Sequence, residues 1–149
     1  MKNKIEFQVF GEPHAKQRAR VYVNKYTNRA CAYTPKETVT YESLIAGTVY
    51  KYRPKGGLIT GPVSLNLRIY RSIPKSMSKK NRLLAEEGKL LPVTKPDMDN
   101  IIKSVFDALN DVIWHDDSQV VELICSKGYS NTPRIEVEIE WEALGLEDK

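Results

Sequence analysis

The sequence predicts an α+β domain, a mixed sheet packed by helices, and three observations carry that expectation. Some segments alternate apolar and polar residues with period two, others repeat apolar residues at helical spacing, and turn-forming residues separate them. The chain has 149 residues, the usual size of one domain, with no internal repeat, low-complexity tract or evident boundary. Residues 1–149 are therefore expected to form a single domain, and only the tail after Trp141 looks expendable.

Residues 5–10 (IEFQVF) alternate as a half-buried strand does, and Gly11 and Pro13 end it. Residues 14–20 then read as a loop. Residues 21–23 and 30–33 flank KYTNR, whose Asn and Thr suit a turn, so a hairpin with a basic tip is expected. Thr34-Pro35 followed by Glu37 resembles a helix start, and Val39, Ser43, Ile45, Ala46 and Val49 supply an apolar face for a helix over residues 36–52. After a turn-rich connection, Val63, Leu65, Leu67 and Ile69 alternate in the strand of residues 63–70. Ser78 and Gly88 then bracket a short helix over residues 78–87. Met98, Ile101, Ile102, Val105, Phe106 and Leu109 predict a strongly amphipathic helix over residues 98–110. Residues 120–126 and 134–141 read as two further strands.

Charge is divided unevenly along the chain. Residues 1–75 hold 14 Lys/Arg against 4 Asp/Glu, a net of +10, whereas residues 76–149 hold 9 against 15, a net of −6. A basic segment can neutralise phosphates while an acidic one gathers divalent cations, so nucleic acid and metal are the partners this polarity suggests. Solvated salt bridges between the halves are the plainer alternative. Cys31 and Cys125 lie far apart, with no CxxC or Cys/His cluster, which points to neither a disulfide framework nor a structural zinc. No apolar run approaches the roughly 18 residues of a membrane span, and the N-terminus lacks a signal-peptide core. A soluble cytoplasmic protein without a membrane partner is expected.

The chemically informative segment is Lys95-Pro96-Asp97-Met98-Asp99-Asn100, with Lys103 one helical turn later and His115-Asp116-Asp117-Ser118-Gln119 downstream. Asp97 falls where a loop meets the helix and Asp99 in its first turn, while Lys103 shares a helical face with Asp99. Phosphodiester hydrolysis requires an activated water and stabilisation of charge on the phosphate oxygens. A carboxylate-held hard cation supplies both, and a neighbouring lysine can neutralise the phosphate. The alternative is that acids at a helix N-terminus merely stabilise the dipole, by about 0.3–1 kcal/mol.

The run KPDMDNIIKSVFDALNDVIWHDDSQVVEL resembles the signature region of the RusA family of Holliday junction resolvases. Weaker similarity covers FQVFGEPHAKQRAR and YTPKETVTYE, so the resemblance touches most of residues 5–140. It implies a small mixed α/β fold, a two-fold homodimer, and paired nicks in four-way DNA junctions during recombination and repair, with Mg²⁺, or Mn²⁺ in its place. Metal ligands by resemblance are Asp97, Asp99 and Asp117, with Asp116 as the alternative third acid, and Lys103 matches the essential lysine. Such genes often belong to phages or prophages, and a cytoplasmic, nucleoid-associated location, bacterial or phage-encoded, is expected. Lys16, Arg18 and Arg20 in the basic loop, with Lys25 and Arg29 at the hairpin tip, are the expected phosphate contacts. A less selective flap or fork nuclease, and a non-catalytic junction-binding protein, are the rival functions. His14 and His115 are read as surface histidines, and Trp114 and Trp141 as packing residues.

Overall fold

A computed structural model describes residues 2–16, 20–33 and 36–142, together with the backbone but not the side chain of Arg20. The predicted alternation is realised as β1 (Lys2–Phe10), β2 (Arg20–Val23), β3 (Ala30–Tyr33), α1 (Lys36–Val49), β4 (Val63–Ser72), α2 (Lys79–Glu86), α3 (Met98–Leu109), β5 (Val120–Ser130) and β6 (Arg134–Glu142). Four strands form a mixed sheet in the order β1-β6-β4-β5, while among the described residues β2 and β3 pair only with each other. β6 runs antiparallel to both β1 and β4, and β4 and β5 are parallel, joined through α2 and α3. The expected α+β class with a mixed sheet is what the chain adopts. The Thr34-Pro35 helix start falls outside the described residues, as does the tail after residue 142.

Period-two alternation builds the sheet face that carries the core. In register, Ile5, Ile139 and Leu65 stand side by side, then Phe7, Val137 and Leu67, then Val9, Ile135 and Ile69, and all are buried. Ile45 and Val49 of α1 and Ile101, Val105 and Leu109 of α3 close over this face in one apolar cluster. The opposite face is polar, with Lys4 paired to Glu138 at 2.7 Å and Arg68 to Glu136 at 3.0 Å. α1 buries Thr38 and Tyr41 alongside Ile45 and Val49, while Val39, expected inside, is exposed. Its core stripe is therefore rotated by about one residue from the most apolar reading of the sequence.

The end of α3 is locked by a short polar-aromatic turn. Trp114 is fully buried, its ring edge meets Phe106 at a centroid distance of 5.9 Å, and its indole N–H donates to Asn110 Oδ1 at 2.6 Å. A buried indole needs such an acceptor, so the Asn110 side chain is fixed by its packing partner. α2 keeps its expected bounds: Ser78 Oγ accepts from the Asn81 amide at 3.2 Å, and Gly88 follows at φ 77°, a left-handed conformation that suits glycine.

Candidate active site

Asp97 is the residue preceding the first turn of α3, an N-cap position at which Asp ordinarily accepts from the helix amides. Here its side chain makes no capping bond, although the backbone geometry at φ −70° and ψ 144° is that of a cap. The carboxylate is exposed and borders a cleft of about 480 Å³ lined by Pro13, His14, Ala15, Lys16, Lys95, Pro96 and Asn100. Asp99, in the first turn, is also exposed, and its Oδ1 accepts from the adjacent Asn100 amide at 2.9 Å. Two hard oxygen donors thus stand together at the positive end of α3, whose dipole favours anions there.

The segment carrying Asp97 is anchored from beneath. Lys127 on β5 shares the core-facing side of the sheet with its β4 neighbour Ile69, and its Nζ donates to the carbonyls of Thr94 at 3.0 Å and Pro96 at 3.2 Å. A cation on two main-chain oxygens immediately before Asp97 restricts where that carboxylate lies. Sequence reading missed Lys127, because only the return of β5 beneath the loop reveals it. His14 was likewise read as a surface residue. It is half-buried on the cleft wall, with Nε2 shielded from solvent and without a hydrogen-bond partner among the described residues, and its ring meets Tyr41 edge-on.

The downstream acids sit in a 3-10 turn over Asp117–Gln119, and its hydrogen bonds divide their roles. Asp116 is the N-cap: its Oδ2 accepts from the Ser118 amide at 3.0 Å, within a reciprocal capping box with Gln119. Hydrogen bonds from the Ser118 side chain and backbone hold the Asp116 carboxyl below its ordinary range. A lowered carboxylate pKa stabilises the turn at neutral pH, and the effect is lost as pH falls through the folded value. Gln119 accepts from the amides of His115 and Asp116 and donates to the carbonyls of Ile59 and Gly61 at 2.8 and 3.0 Å. Asp117 is half-buried in this turn and is not its capping residue.

Replacing Gln119 with Ala leaves four backbone groups without partners. The expected loss is about 2–3 kcal/mol in urea unfolding. Stability within about 0.5 kcal/mol of the unmodified protein contradicts this assignment.

The structure does not bring all three expected ligands together within one chain. α3 rises about 18 Å over its 12 residues. β5 then runs back, so that Lys127, seven residues past its start, lies under Pro96. Asp97 and Asp117 consequently lie at opposite ends of α3, roughly 15–20 Å apart. Among the described residues, no three His, Cys, Asp or Glu side chains form a group able to hold a metal ion.

Lys103 is on the exposed side of α3, 57% accessible, and its ion pair is with Asp107 at 3.7 Å rather than with Asp99. Lys16, expected to grip phosphate, instead bridges two helices: its Nζ lies 2.9 Å from Glu42 and 2.7 Å from Asp107. Burial lowers its pKa, but the hydrogen bonds it donates to Asp107 and Glu42 outweigh that and the net shift is upward. Its charge is thus shared by two carboxylates, and its amide is tied to the Asn100 carbonyl at 3.0 Å. Lys25 and Arg29 are exposed at the hairpin tip; Arg18 and the Arg20 side chain lie outside the described residues.

Comparison with known proteins gives this arrangement a context. Uncharacterized protein YqaN of Bacillus subtilis (strain 168) is 44% identical over 137 residues, which is 91% of this chain and 94% of that protein. Residues 11–140, which contain every candidate acid, match the family of endodeoxyribonuclease RusA. The chain belongs to the RusA family of endodeoxyribonucleases.

Proposed function

We propose that this endodeoxyribonuclease resolves four-way DNA junctions as a homodimer, cutting paired strands by Mg²⁺-dependent phosphodiester hydrolysis in recombination and repair. The observation that carries this reading is the state of Asp97: it occupies a helix cap position without capping, exposed beside Asp99 and a cleft. Acids placed only to stabilise a helix end would bond its amides, and acids on a pure DNA-binding surface would repel phosphate. The donor set is hard oxygen throughout, which suits Mg²⁺ or Mn²⁺. Asp97 and Asp99 would hold the ion, with Asp117 as the third acid; Asp116 is committed to its cap. When bound, such an ion lowers the pKa of its water and stabilises negative charge on phosphate oxygens. Lys103, one turn beyond Asp99, supplies a further cation to the phosphate, and Lys127 positions the Asp97 segment.

The exposed edge of the sheet supports the remainder of the reading. β5 is a sheet edge whose Val121 and Ile124 are 70% and 59% exposed, a surface that invites strand pairing. A second copy added antiparallel to β5 reverses the strand direction, so that the partner's Asp117 is carried toward the Asp97 end of this chain. Each of two sites then draws acids from both copies, matching the approximate symmetry of a four-way junction and its need for two nicks.

Purified protein incubated with a synthetic four-way junction, a fork and a linear duplex, with and without Mg²⁺, tests the proposal. Paired nicking confined to the junction and dependent on Mg²⁺ is expected. Equal cutting of forks identifies a general branched-DNA nuclease, and binding without cutting under either Mg²⁺ or Mn²⁺ identifies a junction-binding protein; both outcomes overturn it.

A further inference from the structure

The β2–β3 hairpin forms a two-stranded sheet of its own, and among the described residues its strands pair with each other alone. A two-stranded hairpin is only marginally stable in water unless something covers it, yet Val21, Tyr22, Val23, Tyr26 and Tyr33 are all exposed. Cross-strand pairing of Tyr22 with Cys31 and of Arg20 with Tyr33 puts the two tyrosines on one face, where their rings meet edge-on at 6.0 Å. The tip is well tied. Asn24 Oδ1 accepts from the amides of Tyr26 and Thr27 at 2.9 and 3.3 Å, the Asn28 amide donates to the Asn24 carbonyl, and the Asn24 amide donates to the Arg29 carbonyl. Tyr26 therefore projects from a hydrogen-bonded turn and is 99% exposed.

Charge decides what such an arm meets. Residues 20–33 contain Arg20, Lys25 and Arg29 and no acidic residue, so the arm is cationic as well as aromatic. That combination suits a polyanion with exposed ring faces, namely nucleic acid with unstacked bases. Base faces in a linear duplex are covered by their neighbours, whereas a branch point uncovers some of them. We infer that the hairpin is a second DNA subsite, in which Tyr26, backed by Tyr22 and Tyr33, stacks on a base unstacked at the branch while Lys25 and Arg29 lie against flanking phosphates. This rests on the branched-DNA reading above and adds to it a residue-level source of structure selectivity, carried by a different element from those that hold the acids.

The test uses the full chain in EDTA, so that no strand is cut, with 2-aminopurine placed at the branch of a four-way junction and at the same position in a linear duplex. Tyr26→Ala is expected to weaken junction binding about tenfold, to leave duplex affinity within about twofold, and to remove the 2-aminopurine response seen with unmodified protein. Tyr26→Phe should retain both the affinity and the response. All of these positions are exposed, and thermal melting of each variant verifies that the fold is intact. An unchanged junction affinity, or equal losses on junction and duplex, overturns the inference. So does a Tyr26→Ala protein whose only change is its oligomeric state in sedimentation, since the arm then serves a second copy. A junction preference that survives Tyr26→Ala removes the hairpin's role alone, whereas unmodified protein that binds both substrates equally removes the branched-DNA reading together with it.

Discussion

Asp97→Asn, Asp99→Asn and Asp117→Asn should each lower junction cleavage by about a thousandfold or more while leaving junction affinity intact or improved. Asparagine keeps the shape of the side chain but loses the charge that holds a divalent cation, and with affinity measured in EDTA the loss of a negative charge facing DNA does not weaken phosphate binding. Because Asp97 and Asp117 lie at opposite ends of α3, the same variants also report which chain supplies which acid. In a mixed dimer of Asp97→Asn and Asp117→Asn chains, prepared by co-expression with two tags, a site shared between copies leaves one site with its full set of acids. About half the activity of the unmodified dimer should then return, as single nicks rather than paired ones. If each chain holds its own three acids, both sites remain defective and no activity returns. Cleavage near the unmodified rate in all three single variants ends the metal-site assignment altogether.

Lys103→Ala should lower the single-turnover cleavage rate by about a hundredfold or more, because a cation beside the phosphate acts on charge that peaks in the transition state. Stability should hardly move. Lys103 is 57% exposed, and Asp107, its partner, keeps the shorter contact to Lys16 at 2.7 Å, so no carboxylate is left buried and alone. The lost surface pair is worth at most about 0.5 kcal/mol, and alanine is the better helix former. Single-turnover kinetics at saturating protein, with thermal melting of the same variant, separates the two effects. A rate within a few-fold of the unmodified protein reduces Lys103 to a helix-surface partner of Asp107.

Much of the fold was legible because periodicity is a local property. The alternation at Val63, Leu65, Leu67 and Ile69 and the helical repeat through Ile101, Val105 and Leu109 mark which side of each element meets the core, and those residues are buried. α1 was harder for a physical reason. Its buried stripe contains Thr38 and Tyr41, whose polar atoms understate how readily they pack, so the more apolar Val39 drew the expected face one residue away. β5 runs four residues beyond its expected end at Ser126, because pairing with β4 sustains it through Ser130.

The sequence by itself determined the repertoire: the order and type of the elements, the DxDN acids at the mouth of a helix, the lysine one turn on, and the family to which the chain belongs. Which of those charges are free was decided by the tertiary structure. Lys16 is held by Glu42 and Asp107, residues 26 and 91 positions away; Asp116 is consumed by a cap, and Asp97 is left uncapped. Lys127 becomes a support for Asp97 because β5 returns beneath α3, and that same return places Asp117 at the far end of the helix. A charged side chain's availability depends on what the fold sets within about 4 Å of it, and those neighbours come from distant parts of the chain that no local pattern encodes.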